Sequence, residues 1–250
     1  MLMVIAAAAL CSAQPPVRQP VLVELFTSEG CSSCPPADLL LERLDREQPV
    51  PDAQIIVLSE HVDYWNRLGW ADPYSSAEAT ARQESYSEAF RLDGVYTPQV
   101  VIDGRKQLVG GSADVGKEIS DAARGTKARI QLSLTGRDAN SVQIRAQMGE
   151  RPAVAANDRA ELWLAITEGN LQTEVLRGEN AGRRLKHSAV VRRLKRVATV
   201  LQGAKEPPAA EWNEELDPSW VRSQLRATAF LQEVRSRRVL AAATLSLAAP

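Results

Sequence analysis

The sequence predicts an α/β unit followed by an all-β unit, on three observations. Up to about residue 125, short unbroken apolar runs alternate with stretches whose apolar residues recur every three or four positions. Beyond about Thr126 the apolar spacing changes to two. Pro, Gly, Asn and Asp cluster where the pattern breaks, as turns require.

After a lead-in with Pro15, Pro16 and Pro20, the run Val21-Leu22-Val23-Glu24-Leu25-Phe26 reads as a buried strand, and Thr27-Ser28-Glu29-Gly30 turns the chain into Cys31. Ala37, Leu40, Leu41 and Leu44 then mark a helix, with Asp38 near its positive end and Pro49 and Pro51 as its stop. Pro35 and Pro36 bias the residue before each away from helical geometry, so a late helix start is expected. Ile55-Ile56-Val57-Leu58 is a second buried strand, and a strand-helix-strand unit favours parallel pairing through a right-handed crossover. An aromatic-rich loop from His61 to Tyr74 leads to Ser75 and Glu78, a capping box for a helix to about Phe90. Val100-Val101-Ile102, the Asp103-Gly104 turn and Leu108-Val109 form a hairpin, followed by a short helix from about Asp114 to Ala123. The order β-α-β-α-β-β-α is that of a thioredoxin fold.

Past Thr126, alternation over 128–134, 142–148, 162–166, 197–201, 227–234 and 239–247 predicts many short strands, with a loop from Glu206 to Pro218. The expected fold class is therefore α/β plus all-β: a thioredoxin-like N-terminal domain over residues 17–125, then a β-sandwich-like C-terminal domain over 126–250. Residues 1–13 read as a signal peptide, with an apolar run too short to span a bilayer and Cys11-Ser12-Ala13 supplying small residues for cleavage. A periplasmic or secreted protein with no transmembrane segment in its mature chain is expected. At 250 residues and 44% hydrophobic content the chain can build real cores, and a formal net charge of -1 argues against nucleic acid as partner.

Of the three cysteines, the mature chain would keep Cys31 and Cys34. A Cys-x-x-Cys between a buried strand and a helix puts the first sulfur near unpaired helix amides, which stabilise a thiolate. Cys31 is then the nucleophile and Cys34 the resolving thiol. Two other readings stay open, a structural disulfide and half of a metal site. The first is weakened because closing so small a loop removes little unfolded-state entropy. For the second, Cys31 and Cys34 with His61 would form a soft-metal, copper-binding set.

The stretch from Val21 to Asp38, with Cys31-Ser32-Ser33-Cys34-Pro35-Pro36 at its centre, resembles the secreted bacterial domain of unknown function 1223 family of the thioredoxin-like superfamily. His61 to Pro73, Val95 to Gln99, and Gly178-Glu179-Asn180-Ala181-Gly182 onward to Arg192 fit the same resemblance. By resemblance to thioredoxins, Thr97-Pro98 would be a cis-proline element that docks an extended substrate. Glu24 would be the buried acid that accepts a proton from the resolving cysteine.

Seven of the chain's 12 Phe, Tyr and Trp residues lie between His61 and Tyr96, so Trp65 and Trp70 are candidates for lining a substrate groove. The basic run Arg183 to Arg196 has interleaved apolar residues and reads as a solvated strand face. The leading functional expectation is an exported thiol-disulfide oxidoreductase that needs no cofactor and works on a protein thiol or disulfide with a redox partner. The alternatives are a copper-binding or chaperone protein and a partner-binding module with a static disulfide.

Overall fold

The computed structural model describes residues 18–138, 140–150, 152–203 and 206–248. The expected signal segment at 1–13 lies outside them. Strand β1 (Gln19–Thr27) is buried along all but its first two residues and pairs in parallel with β2 (Ala53–His61), from Gln19 opposite Ala53 to Thr27 opposite His61. Helix α1 (Pro35–Glu47) makes the crossover. Pro35 and Pro36 occupy its first two positions and Cys34 is its N-cap with helical dihedrals, so the helix starts directly after the cysteine. The expected delay does not occur because amides at those positions have no intrahelical partner to lose.

Helix α2 (Ala77–Phe90) is capped by Ser76, whose hydroxyl accepts from the Ala79 amide, one residue beyond the predicted cap. Ser75 instead donates to the Asp72 carbonyl. Strands β3 (Gln99–Ile102) and β4 (Lys106–Val109) form the hairpin, and α3 (Val115–Ala123) follows. The second half supplies β5 (Ile130–Arg137), β6 (Ser141–Met148), β7 (Arg159–Glu168), β8 (Leu171–Glu174), β9 (Arg184–His187), β10 (Val190–Leu201), β11 (Ala209–Glu215), β12 (Leu225–Glu233) and β13 (Val239–Ser246).

These strands overturn the expected fold class. β7, β10, β12 and β13 do not build a sandwich of their own; they continue the first sheet, giving one mixed eight-stranded sheet in the order β13-β12-β7-β10-β2-β1-β3-β4. The fold is mostly β, with three α-helices among the described residues, and is not a thioredoxin-like domain joined to a separate β-sandwich. The junction is β10 beside β2, where Val190 stands opposite Ser59 and the Ser59 amide donates to Ala189. A single apolar cluster runs through it, joining Leu22, Ile56 and Leu58 to Ala165, Phe230 and Ala242. Alternation could not reveal this, because β7 and β12 are buried on nearly every residue, as interior strands covered on both faces are.

The face bearing Val21, Val23 and Leu25 is covered by α1 and α3. Beyond it, Leu162, Leu164, Ala227 and Ala229 are covered by a three-stranded sheet β11-β6-β5 through Val142, Ile144, Met148 and Trp212. β5 and β6 keep strict alternation, since one of their faces meets solvent. β11 occupies the stretch expected as a loop, and β8 pairs with β9.

The sheet curls until the β3–β4 turn meets β13: the Val239 amide donates to the Asp103 carbonyl at 2.9 Å. Asp103 and Gly104 both have positive φ (50° and 64°), and a Cβ on Gly104 would lie 1.8 Å from the Arg237 carbonyl oxygen. Neither backbone can yield. Gly104→Ala is therefore expected to cost about 2 kcal/mol or more, read as a lower urea midpoint with an unchanged slope.

Candidate functional site

Cys31 and Cys34 are joined by a disulfide at the end of β1, with Cα atoms 5.4 Å apart. The turn that carries them is tight: the Cys34 amide donates to the Cys31 carbonyl at 3.2 Å, and the Ala37 and Asp38 amides donate to the Cys34 carbonyl. Both cysteines have no exposed surface, whereas Ser32 and Ser33 between them are exposed. The Ser33 hydroxyl lies 3.3 Å from the Cys31 sulfur.

Burial is completed by the Gly178–Gly182 loop from the second half. The Asn180 side-chain amide donates to the carbonyls of Glu29 (2.8 Å) and Cys31 (2.9 Å), and Arg183 holds its oxygen at 3.1 Å. The Glu179 carboxylate accepts from the Ser32 amide at 3.0 Å, and the Ser32 hydroxyl and amide together hold it below the usual carboxylate range. Gly178 (φ +79°) lies so close to Trp70 that a Cβ there would be 3.1 Å from the Trp70 Cβ.

The Thr97–Pro98 peptide is cis. The Trp65 indole donates to the Thr97 hydroxyl at 2.8 Å while its Cβ packs on Gly30, directly before Cys31. Gly110 leaves room for both Pro98 and Ala37, whose Cβ atoms would lie 2.8 and 2.7 Å from a Cβ there. The structure thus gathers Thr97, Pro98 and Trp65 at the edge of the cysteine turn. Trp70 serves differently: its indole donates to Glu29 Oε2 at 2.8 Å.

Behind the disulfide is a buried ionic cluster that sequence reasoning missed. His61 Nδ1 donates to Asp72 at 2.7 Å, and His187 Nε2 donates to Glu29 Oε1 at 3.0 Å. The two imidazoles sit edge to face, 4.7 Å between ring centroids, each about 5.5 Å from the Tyr74 ring. Burial would raise the Asp72 pKa, but His61 and the amides of Glu29 and Tyr74 hold it below its usual value. Asp38, on α1, accepts from Thr27 at 2.9 Å, and burial pushes its carboxyl up to about 6 against the pull of His187. His61, the histidine of the copper reading built on Cys31, Cys34 and His61, is held through Nδ1 by Asp72. Among the described residues no three His, Cys, Asp or Glu side chains are grouped to hold a metal ion. The signal overlooked was polarity: Glu29, Asp38, Asp72 and Asn180 flank apolar segments yet are buried.

Glu24 is not brought to the cysteines. It shares its face of β1 with Leu22 and Phe26, opposite the residues that pack on α1. There its carboxylate accepts from Arg82 Nε and the Tyr86 hydroxyl. The Arg82 guanidinium lies over the rings of Phe230, Tyr86 and Trp163 at 5.1 to 5.7 Å, and Glu60 stands 3.8 Å away. Two carboxylates face one guanidinium, and burial with the neighbouring Glu24 outweighs Arg82 to push Glu60 up to about 8. The odd carboxyl keeps its proton.

A mixed β-rich sheet with a disulfide at the tip of its central parallel pair, sealed by a loop from the far half, defines the class of protein. The chain belongs to the family described as Protein of unknown function (DUF1223), whose pattern matches residues 22–232. Among solved structures it is similar to Protein AGR_C_4864 from Agrobacterium tumefaciens, 27% identical, covering 95% of this chain and 98% of that one with a TM-score of 0.68. HBP35 of Porphyromonas gingivalis shares the fold at 15% identity, over 94% of this chain and 77% of that one, also with a TM-score of 0.68. No curated protein matches.

Two outcomes are expected. Folded Glu60 keeps its proton to about pH 8, while the unfolded chain releases it near 4.5, so stability falls as pH rises between those values. Glu60→Gln should remove that fall, a difference on the order of a few kcal/mol between pH 5 and 9 in urea unfolding. Asn180→Ala strips the donor from two buried carbonyls and uncovers the sulfurs, so dithiothreitol should reduce the disulfide about tenfold faster or more in stopped-flow assays.

Proposed function

We propose that the protein is an exported thiol-disulfide oxidoreductase acting on protein thiols or disulfides, with Cys31 as nucleophile and Cys34 as resolving thiol. The observation that carries this reading is the position of the Cys31–Cys34 bond: it lies at the β1–α1 junction, next to Gly30, against which Trp65 packs while bonding Thr97. A bridge with only two residues between its cysteines contributes little as a staple. Export rests on the apolar segment at 1–13 and on a mature chain with one cysteine pair.

The chemistry is an exchange in two steps. A partner thiolate attacks the Cys31 sulfur, a mixed disulfide forms, and Cys34 leaves as a thiolate that takes up a proton. The partner's second thiolate then attacks its own sulfur in the mixed disulfide and releases Cys31. The partner ends as a disulfide, two electrons poorer, and Cys31 and Cys34 end as a dithiol. The reverse sequence reduces a partner disulfide. Asp38, one turn along α1 from Cys34 and on the same side of the sheet, is the buried acid that serves this proton in place of Glu24. Because both cysteines are buried, attack waits for the Gly178–Gly182 loop to lift.

The test is the reduction potential of the pair in glutathione and dithiothreitol buffers, together with trapping by Cys34→Ser. A potential between roughly -270 and -120 mV, with mixed disulfides accumulating on Cys31 of the variant, is expected. A potential well below about -300 mV with no trapped partner would mean a static bridge.

A further inference from the structure

The amides that ordinarily hold a thiolate at a strand-to-helix turn are largely engaged or missing around Cys31. Pro35 and Pro36 have no N–H, the Cys34 amide is bonded to the Cys31 carbonyl, and the Ser32 amide is bonded to Glu179. The Ser33 hydroxyl, 3.3 Å from the sulfur, is the donor the structure places on it. Glu179 does more than occupy an amide. It brings a carboxylate to the residue next to Cys31, and it arrives on a loop anchored to that cysteine's own carbonyl by Asn180.

We propose that Glu179 is a positioning residue for the dithiol: it withdraws the Ser32 amide from the Cys31 sulfur, sets a negative charge beside it, and so holds the pair toward the reducing end of its range. This rests on the redox reading of the pair and adds how its potential is set. Destabilising the thiolate destabilises the reduced form, and a pair with a less stable reduced form is a stronger reductant. The other charged and titratable groups around the turn are Glu29, Asp38, Asp72, His61, His187 and Arg183. None of them changes when Glu179 is replaced, so the difference between variants isolates its effect.

The experiment is a thiolate titration of Cys31 by absorbance at about 240 nm in the Cys34→Ser background of the mature chain, comparing Glu179, Glu179→Gln and Glu179→Ala. Circular dichroism checks that each variant folds. Gln keeps an acceptor for the Ser32 amide and loses only the charge; Ala loses both. Glu179→Gln is expected to lower the proton affinity of Cys31 about three- to tenfold, with a larger fall for Ala. With Cys34 restored, the equilibrium with glutathione should shift toward the reduced protein by a similar factor, a tenfold change being about 30 mV. Folded variants whose titration lies within about twofold of the parent would overturn the proposal. A shifted titration in a protein that traps no partner would leave this inference standing and sink the oxidoreductase reading. Active exchange with an unmoved titration would do the reverse.

Discussion

Glu29 divides its four polar atoms among three distant parts of the chain. Its amide donates to Asp72, its carbonyl accepts from Asn180, one carboxylate oxygen meets His187 and the other accepts from the Trp70 indole. It sits two residues before Cys31 and has no exposed surface. Isolated in a low-dielectric interior, its charge would cost several kcal/mol. The four bonds fix the aromatic loop after β2, the Gly178–Gly182 loop and β9 against the tip of β1. The cysteine turn inherits its shape from that convergence.

A second buried ionic group lies on the opposite face of the same strand, where Glu24, Glu60 and Arg82 meet beneath α2. β1 thus carries one buried charge, Glu24, on the face away from α1, and leads into a second, Glu29, just past its end. Glu24 and Glu29 each find their partner far away in sequence, at Arg82 and His187. A slip of one residue in the β1–β2 register would move Glu24 to the α1 side and break both sets. Buried charge here costs stability and excludes wrong pairings.

Much of the fold's first half is legible because each element carries its own signal. The apolar runs of β1 and β2, the Asp103-Gly104 turn and the Ala37, Leu41, Leu44 spacing are local facts, and β1, β2, α1 and the hairpin follow them closely. What was not legible is partnership. Val190 beside Ser59 joins the halves into one sheet through a contact 131 positions apart, and no periodicity records it. The same holds for the site. Cys31 and Cys34 announce themselves by spacing, and Thr97 with Pro98 by motif, but Glu24, which resemblance to thioredoxins puts with the cysteines, is sent by side-chain alternation to the other face. Asn180, which bonds Cys31, lies in a loop that composition alone marks only as a turn.

The loop at 178–182 also bears on how this molecule can be divided. A fragment ending near residue 125 would keep both cysteines, the cis-proline turn and most of the apolar cluster under α1. It would lose Asn180, Glu179 and His187 together, baring two carbonyls, an amide and the Glu29 carboxylate at the cysteine turn. Such a piece would carry the motif in a different chemical environment, with sulfurs open to any passing thiol. Access to this disulfide is thus a property of the whole chain, distributed between a segment that supplies the sulfurs and one that covers them.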